Sequence, residues 1–305
     1  MKTAMNPNRH PLEARHVKVD LSQTPLHWIH GDVLASHITN AIHLLLPEGE
    51  LWFCRVYHQA LPLITDPQLR ADVEGFIRQE AIHAKEHTKA QRYLHRHGID
   101  THPFVGHVRG LFRTVLGDAP FGIRALQRPF MQKRWLLTRV GLIAAIEHFT
   151  GILGQWAMDN TSWDNADPAM ADLFKWHLAE EVEHRCVAFD LYQHLSDGQT
   201  GFYLKRQALM ALVFPLFIFA VMSGARELAG QDKHAESQRI ARMNLLQILR
   251  GMERTGVATD NVPSFTFLAR ATLRWIAPRF HPITEGNTEQ ALAYIARSPA
   301  AQAAI

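Results

Sequence analysis

Two short spacings in this sequence can do chemistry: Glu80 with His83, and Glu181 with His184. A helix turns about 100° per residue, so side chains three apart share a face and can reach one point. A single Glu-x-x-His is common by chance. Here each copy follows a carboxylate in an apolar stretch, Glu50 before the first and Glu147 before the second. Two helices giving one Glu each and two giving Glu-x-x-His is the ligand plan of a two-metal helical bundle.

Glu147 carries the most weight of these. It is the only formally charged residue between Val140 and Met158. A carboxylate on an apolar helix is costly to bury unless a cation or a proton neutralises it. Glu50 follows the same logic but competes with Glu48 in the run LLLPEGELWFC, and Glu50 is preferred because it lies further into the helix. His177 stands four residues before Glu181, and helix geometry puts it with Glu181 and His184 in an arc of about 60°. The candidate ligands are therefore Glu50, Glu80, His83, Glu147, His177, Glu181 and His184.

Neighbouring residues are assigned lesser roles. Glu180 and Glu183 point about 100° and 160° away from Glu181. Glu183 is expected on a solvated face, and Glu180 as a partner behind the ligands. His87 shares the face of Glu80 and His83, yet the surface reading is preferred for it. Tyr57 and His148 are expected in the core, and Asp190 is a candidate to orient a histidine on another helix.

Carboxylates mixed with imidazole select iron, manganese or zinc over calcium or magnesium, and a carboxylate-rich pair of ions points to iron or manganese. No Ser-His-Asp or Cys-based nucleophile and no glycine-rich phosphate loop can be read at useful spacing.

The elements that must position these residues are helices. Helical periodicity runs through about 32–63 (with a break near Pro47-Glu48-Gly49), 67–97, 130–159, 168–196, 203–229, 233–256 and 263–277. Asp66-Pro67 and Asp167-Pro168 read as an N-cap followed by a first-turn proline, and Gly98 and Gly198 as stops. The predicted class is all-α, with 1–31 as an N-terminal extension, 32–200 as a four-helix bundle around two metals, and 201–305 as further helices of the same domain.

Composition excludes several functions. The 305 residues are 47% hydrophobic and 20% charged with a net charge of +3, as in a globular protein. There is no dense Lys/Arg block, so no nucleic-acid partner is expected. Only Cys54 and Cys186 occur, and the polar N-terminus lacks an apolar run, which together predict a cytoplasmic protein. Residues 208–225 carry no formal charge and reach the lower length of a membrane span. The segment is read as a buried or homodimer-interface helix, with peripheral membrane contact and then a true span as the alternatives.

Four pieces of the chain, PEGELWF (47–53), QEAIHAKEH (79–87), IEH (146–148) and EEVEHRCVAFDLY (180–192), resemble the bacterial predicted metal-dependent hydrolases. The ligand pattern is also similar to that of the ferritin-like di-iron proteins. Within them it is nearest to the di-iron N-oxygenases of aryl amines, whose additional histidine precedes the last Glu-x-x-His by one turn, as His177 does. The resemblance implies a ferritin-like bundle with two iron ions at the seven residues above, with manganese or zinc as substitutes. The favoured expectation is an O2-activating oxygenase or oxidase acting on a small hydrophobic molecule. A di-metal hydrolase is the alternative, and a non-catalytic metal-binding bundle comes third.

Overall fold

A computed structural model describes residues 10–196 and 201–304, and among these every regular element is helical. The helices are α1 (Val33–Ala60), α2 (Pro67–Arg96), α3 (His102–Gly110), α4 (Pro129–Asp159), α5 (Pro168–His184), α6 (Val187–Leu195), α7 (Phe202–Gln231), α8 (Ala235–Ala241), α9 (Leu245–Thr259), α10 (Phe265–Trp275), α11 (Thr288–Ile295) and α12 (Pro299–Gln302). The all-α class is therefore observed. One hydrophobic core runs from Leu12 to Ala300.

The start signals act as expected. The Asp66 carboxylate accepts from Gln68 and Leu69 N–H, and Asp167 accepts from Met170 N–H, which satisfies orphan donors in the first turns of α2 and α5. Gly98 follows α2 at φ 79°, a conformation that favours glycine. Gly198 lies outside the described residues.

Three boundaries differ from the sequence reading. α1 is not broken at Pro47 but runs on for 28 residues. Proline removes the N–H that would bond the His43 carbonyl. That carbonyl instead accepts from Gln91 Nε2 at 2.8 Å, so a side chain of α2 replaces the missing bond. The 168–196 segment is two helices, α5 and α6, separated at Arg185-Cys186. The Val182 carbonyl, which would accept from Cys186 N–H in a continuous helix, accepts from Arg185 Nη1 instead. The 233–256 segment also divides, because Asn244 and Gln247 form a capping box that starts α9 anew.

α1 packs on α2, and α4 on α5. The α4–α5 approach is close because Gly154 faces the Leu178 carbonyl, where a Cβ would collide. α7 lies over α1 and α4, and Phe149 of α4 stacks on Phe214 and Phe217 of α7. α4 and α7 are each long and apolar enough to cross a membrane by length and composition alone. The apolar window of α4 is 72% buried and that of α7 only 33%, so α4 is accounted for as a core helix while α7 leaves Leu204, Leu212, Leu216 and Phe219 exposed.

Candidate metal centre

The seven candidate residues meet. Glu50 comes from α1, Glu80 and His83 from α2, Glu147 from α4, and His177, Glu181 and His184 from α5. None is more than 2% exposed. Their ligand atoms fall into sets lying within 4.8 Å of one another: Glu50, Glu80 and His83; Glu80, Glu147, Glu181 and His184; and His83, His177 and Glu181. Glu80 is common to the first two and Glu181 to the last two, an arrangement suited to two adjacent ions sharing carboxylates. The Glu48 competitor turns away and pairs with Arg109 at 2.6 Å.

The individual contacts crowd four carboxyls around two imidazoles. His184 Nε2 lies 3.2 Å from Glu80 Oε1, 3.3 Å from Glu147 Oε2 and 3.1 Å from Glu181 Oε2. His177 Nε2 lies 2.7 Å from Glu181 Oε1 and 3.6 Å from Glu50 Oε1. Burial and the neighbouring carboxylates push Glu50 and Glu80 well above the usual range. The same causes bring Glu147 to about 7. Burial opposes a charged His184, but Glu181 and Glu147 outweigh it and raise the imidazole to about 10. Burial likewise opposes a charged Glu181, and His184 and His177 hold that carboxyl low.

The donors fit metal ions by an independent observation. Both carboxylate oxygens of Glu50, both of Glu80, Glu147 Oε2 and His83 Nδ1 are buried with no hydrogen-bond partner. Native proteins rarely leave buried polar atoms unpaired, and a cation at this point pairs them together.

Behind the ligands runs a second layer. His83 Nε2 donates to Glu180 Oε2 at 2.8 Å, and His184 Nδ1 donates to Gln79 Oε1 at 3.0 Å. Gln79 Nε2 in turn donates to Glu183 Oε2 at 2.8 Å. Arg15 closes both branches, with Nη1 at 2.9 Å from Glu180 Oε1 and 2.6 Å from Glu183 Oε2. Glu183 is thus not solvated; its side chain is 1% exposed, because Arg15 supplies the charge that makes burial affordable. Glu180 takes the role expected of it. Burial still raises it to about 8 against the pull of Arg15.

His87 is also buried, not on the surface. It meets His177 Nδ1 through Nε2 at 2.5 Å and His43 Nδ1 through Nδ1 at 2.7 Å, so three imidazoles run in a row away from Glu181. Tyr57 is in the core, and its hydroxyl has no partner although Glu147 and Glu80 both act on it. His148 is buried and meets the Ala271 carbonyl at 3.1 Å. Asp190 pairs with His281 at 2.8 Å, not with a ligand histidine.

Arg15 and Gln79 were not among the sequence candidates. Arg15 lies in a polar, aperiodic stretch and contacts residues 165 and 168 positions away, a separation that leaves no local signal.

An apolar cavity of about 90 Å³ reaches His177, lined among others by Ile42, Leu46, Leu153, Phe174, Phe217 and Met222. Its two hydroxyls are engaged on their own helices, Thr150 with the Glu147 carbonyl and Thr39 with that of Ala35. A larger surface cleft of about 460 Å³ beside Glu253 and Arg270 includes none of the seven residues.

Helices and buried Glu/His sets define a protein equipped to hold metal ions. The chain belongs to the family described as predicted metal-dependent hydrolase, whose model matches residues 13–286. No curated protein and no solved structure matches it.

Proposed function

We propose that this chain is a hydrolase with a two-ion centre at Glu50, Glu80, His83, Glu147, His177, Glu181 and His184, acting on a substrate with an apolar arm. The observation that carries the centre is the burial of the unpartnered carboxylates of Glu50 and Glu80 beside Glu147 and Glu181. The family description supports hydrolysis as the reaction. Two divalent ions would supply an activated water and polarise the bond to be cleaved. The helix pattern that brings the ligands together accords with a ferritin-like bundle.

The protein's own groups have definable parts in this. Glu180 and Gln79 hold His83 and His184 in one orientation. Phe76 and Trp176, edge-on to those two rings, keep water from them. The cavity takes the apolar arm. Its volume of about 90 Å³ is below the roughly 150 Å³ that admits benzene, so it suits a few methylenes. Tyr57 Oη, unpartnered among the carboxylates, can hold a proton for a leaving group.

A second reading is supported by one observation, the largely apolar lining of the cavity at His177. A dry pocket beside carboxylate-held iron suits oxidation of a hydrophobic molecule, for which two ferrous ions would supply electrons to O2. Loading the protein with zinc or, anaerobically, with ferrous iron separates the two. Cleavage of short-chain acyl esters by either form, lost in Glu147→Ala, supports hydrolysis. O2 uptake by the iron form with no ester cleavage by either form would overturn hydrolysis in favour of oxidation.

A further inference from the structure

A second set of metal-ligand side chains sits where the segment before α1, the first turns of α1 and the α7–α8 connection meet. His27, His37 and Asp232 present ligand atoms within 4.8 Å of one another. His37 stands about 20 Å along α1 from Glu50, from the helix rise, so this set is separate from the bundle centre.

Both imidazoles aim at one oxygen. His27 Nε2 lies 2.7 Å from Asp232 Oδ2, and His37 Nε2 lies 3.3 Å from the same atom. A tetrahedral zinc with bonds of about 2.0–2.1 Å holds its ligand atoms roughly 3.3 Å apart. That is the separation of His37 Nε2 from Asp232 Oδ2, while His27 Nε2, at hydrogen-bond distance, would have to move outward. The Ser237 hydroxyl also reaches Asp232 Oδ2 and lies 2.9 Å from His37 Nε2. The other oxygen, Oδ1, receives the His234 N–H at 3.0 Å, which fixes the carboxylate. Three groups converge on the single oxygen Oδ2.

His37 is completely buried, and its Nε2 is the ring nitrogen that faces Asp232 Oδ2 and the Ser237 hydroxyl. His27 and Asp232 have side chains 24% and 11% exposed, which leaves an open side for water and for ion exchange.

We propose that His27, His37 and Asp232 form a second site for a divalent cation of the zinc type, with a water completing the coordination. The ion would tie the α7–α8 connection to two positions near the start of α1, so its role is to hold the segment before α1 and that connection onto α1.

The test is zinc binding by the full-length protein, read as ions per chain and as the zinc-dependent rise in melting temperature. Wild type should bind one zinc more than either His27→Gln or Asp232→Asn. The Gln can still donate to Asp232, so the fold is retained while the ligand is lost, and Glu80→Ala should keep this ion. Equal zinc content and an equal melting shift in wild type and His27→Gln would overturn the proposal and leave a hydrogen-bond network.

Discussion

His83 Nε2 lies 2.8 Å from Glu180 Oε2, and this one contact leaves Nδ1 as the nitrogen that faces the centre. Nδ1 has no partner and lies 3.6 Å from Glu181 Oε1 and 3.9 Å from Glu80 Oε2. Outer carboxylates fix ligand histidines in this way, setting the tautomer and raising basicity. His184 uses the opposite ring nitrogen for the same purpose, with Nδ1 on Gln79. Arg15 stands behind both.

Arg15→Ala therefore strikes two histidines at once. It leaves Glu180 and Glu183 buried without their cation, and denaturant unfolding should show a loss of about 3 kcal/mol. Metal affinity should fall about tenfold or more in a competition titration, as loss of an outer partner does. Arg15→Lys, a single point of charge, should restore part of the stability but less of the affinity.

Neutralising one carboxylate should separate stability from metal binding. Glu80→Gln removes a carboxyl that must take up a proton on folding, because burial and Glu181, Glu147 and Glu50 disfavour its charged form. Its metal-free form should melt higher than metal-free wild type, on the order of 1 kcal/mol more stable. Its metal content should collapse. A metal-free variant less stable than wild type would mean that the carboxylates are not in conflict.

How much of this was legible in the sequence follows from distance along the chain. Glu-x-x-His is a local pattern, so α2 and α5 declare their candidate ligands, and Glu147 declares itself as one by standing alone in an apolar helix. Glu50 and His177 needed only helix geometry. By contrast, the Pro47 break was expected because nothing near residue 47 shows that Gln91 will cap the freed carbonyl. Glu183 was placed in solvent because its partner, Arg15, is 168 residues away. His87 was placed on the surface because His43, from another helix, gives its ring a place.

A pH dependence follows from His281. Burial opposes its charge, but the Asp190 carboxylate 2.8 Å away and Cys186 raise it from 6.5 to about 9. A raised folded value means that the charged pair stabilises fully below pH 6.5 and is lost as pH climbs through 9. The melting temperature of wild type should exceed that of His281→Gln below pH 6.5, and the gap should close by about pH 10. A gap that is constant with pH would show that the pair contributes packing and no charge.

The cavity predicts a size limit. Leu153→Phe narrows it without touching a ligand, so metal content should stay at the wild-type level. The kcat/KM for substrates with longer apolar arms should fall about tenfold or more relative to shorter ones. An unchanged chain-length profile would place the apolar arm elsewhere.

The central claim is that two ions share Glu80 in the bundle, and counting metal tests it most directly. Full-length protein loaded anaerobically with ferrous iron, and freed of excess ion, is compared with Glu80→Ala prepared in the same way. Because Glu80 belongs to two of the three ligand sets and adjoins the third, wild type should carry two more ions per chain than the variant. Equal metal content in the two proteins would contradict the assignment.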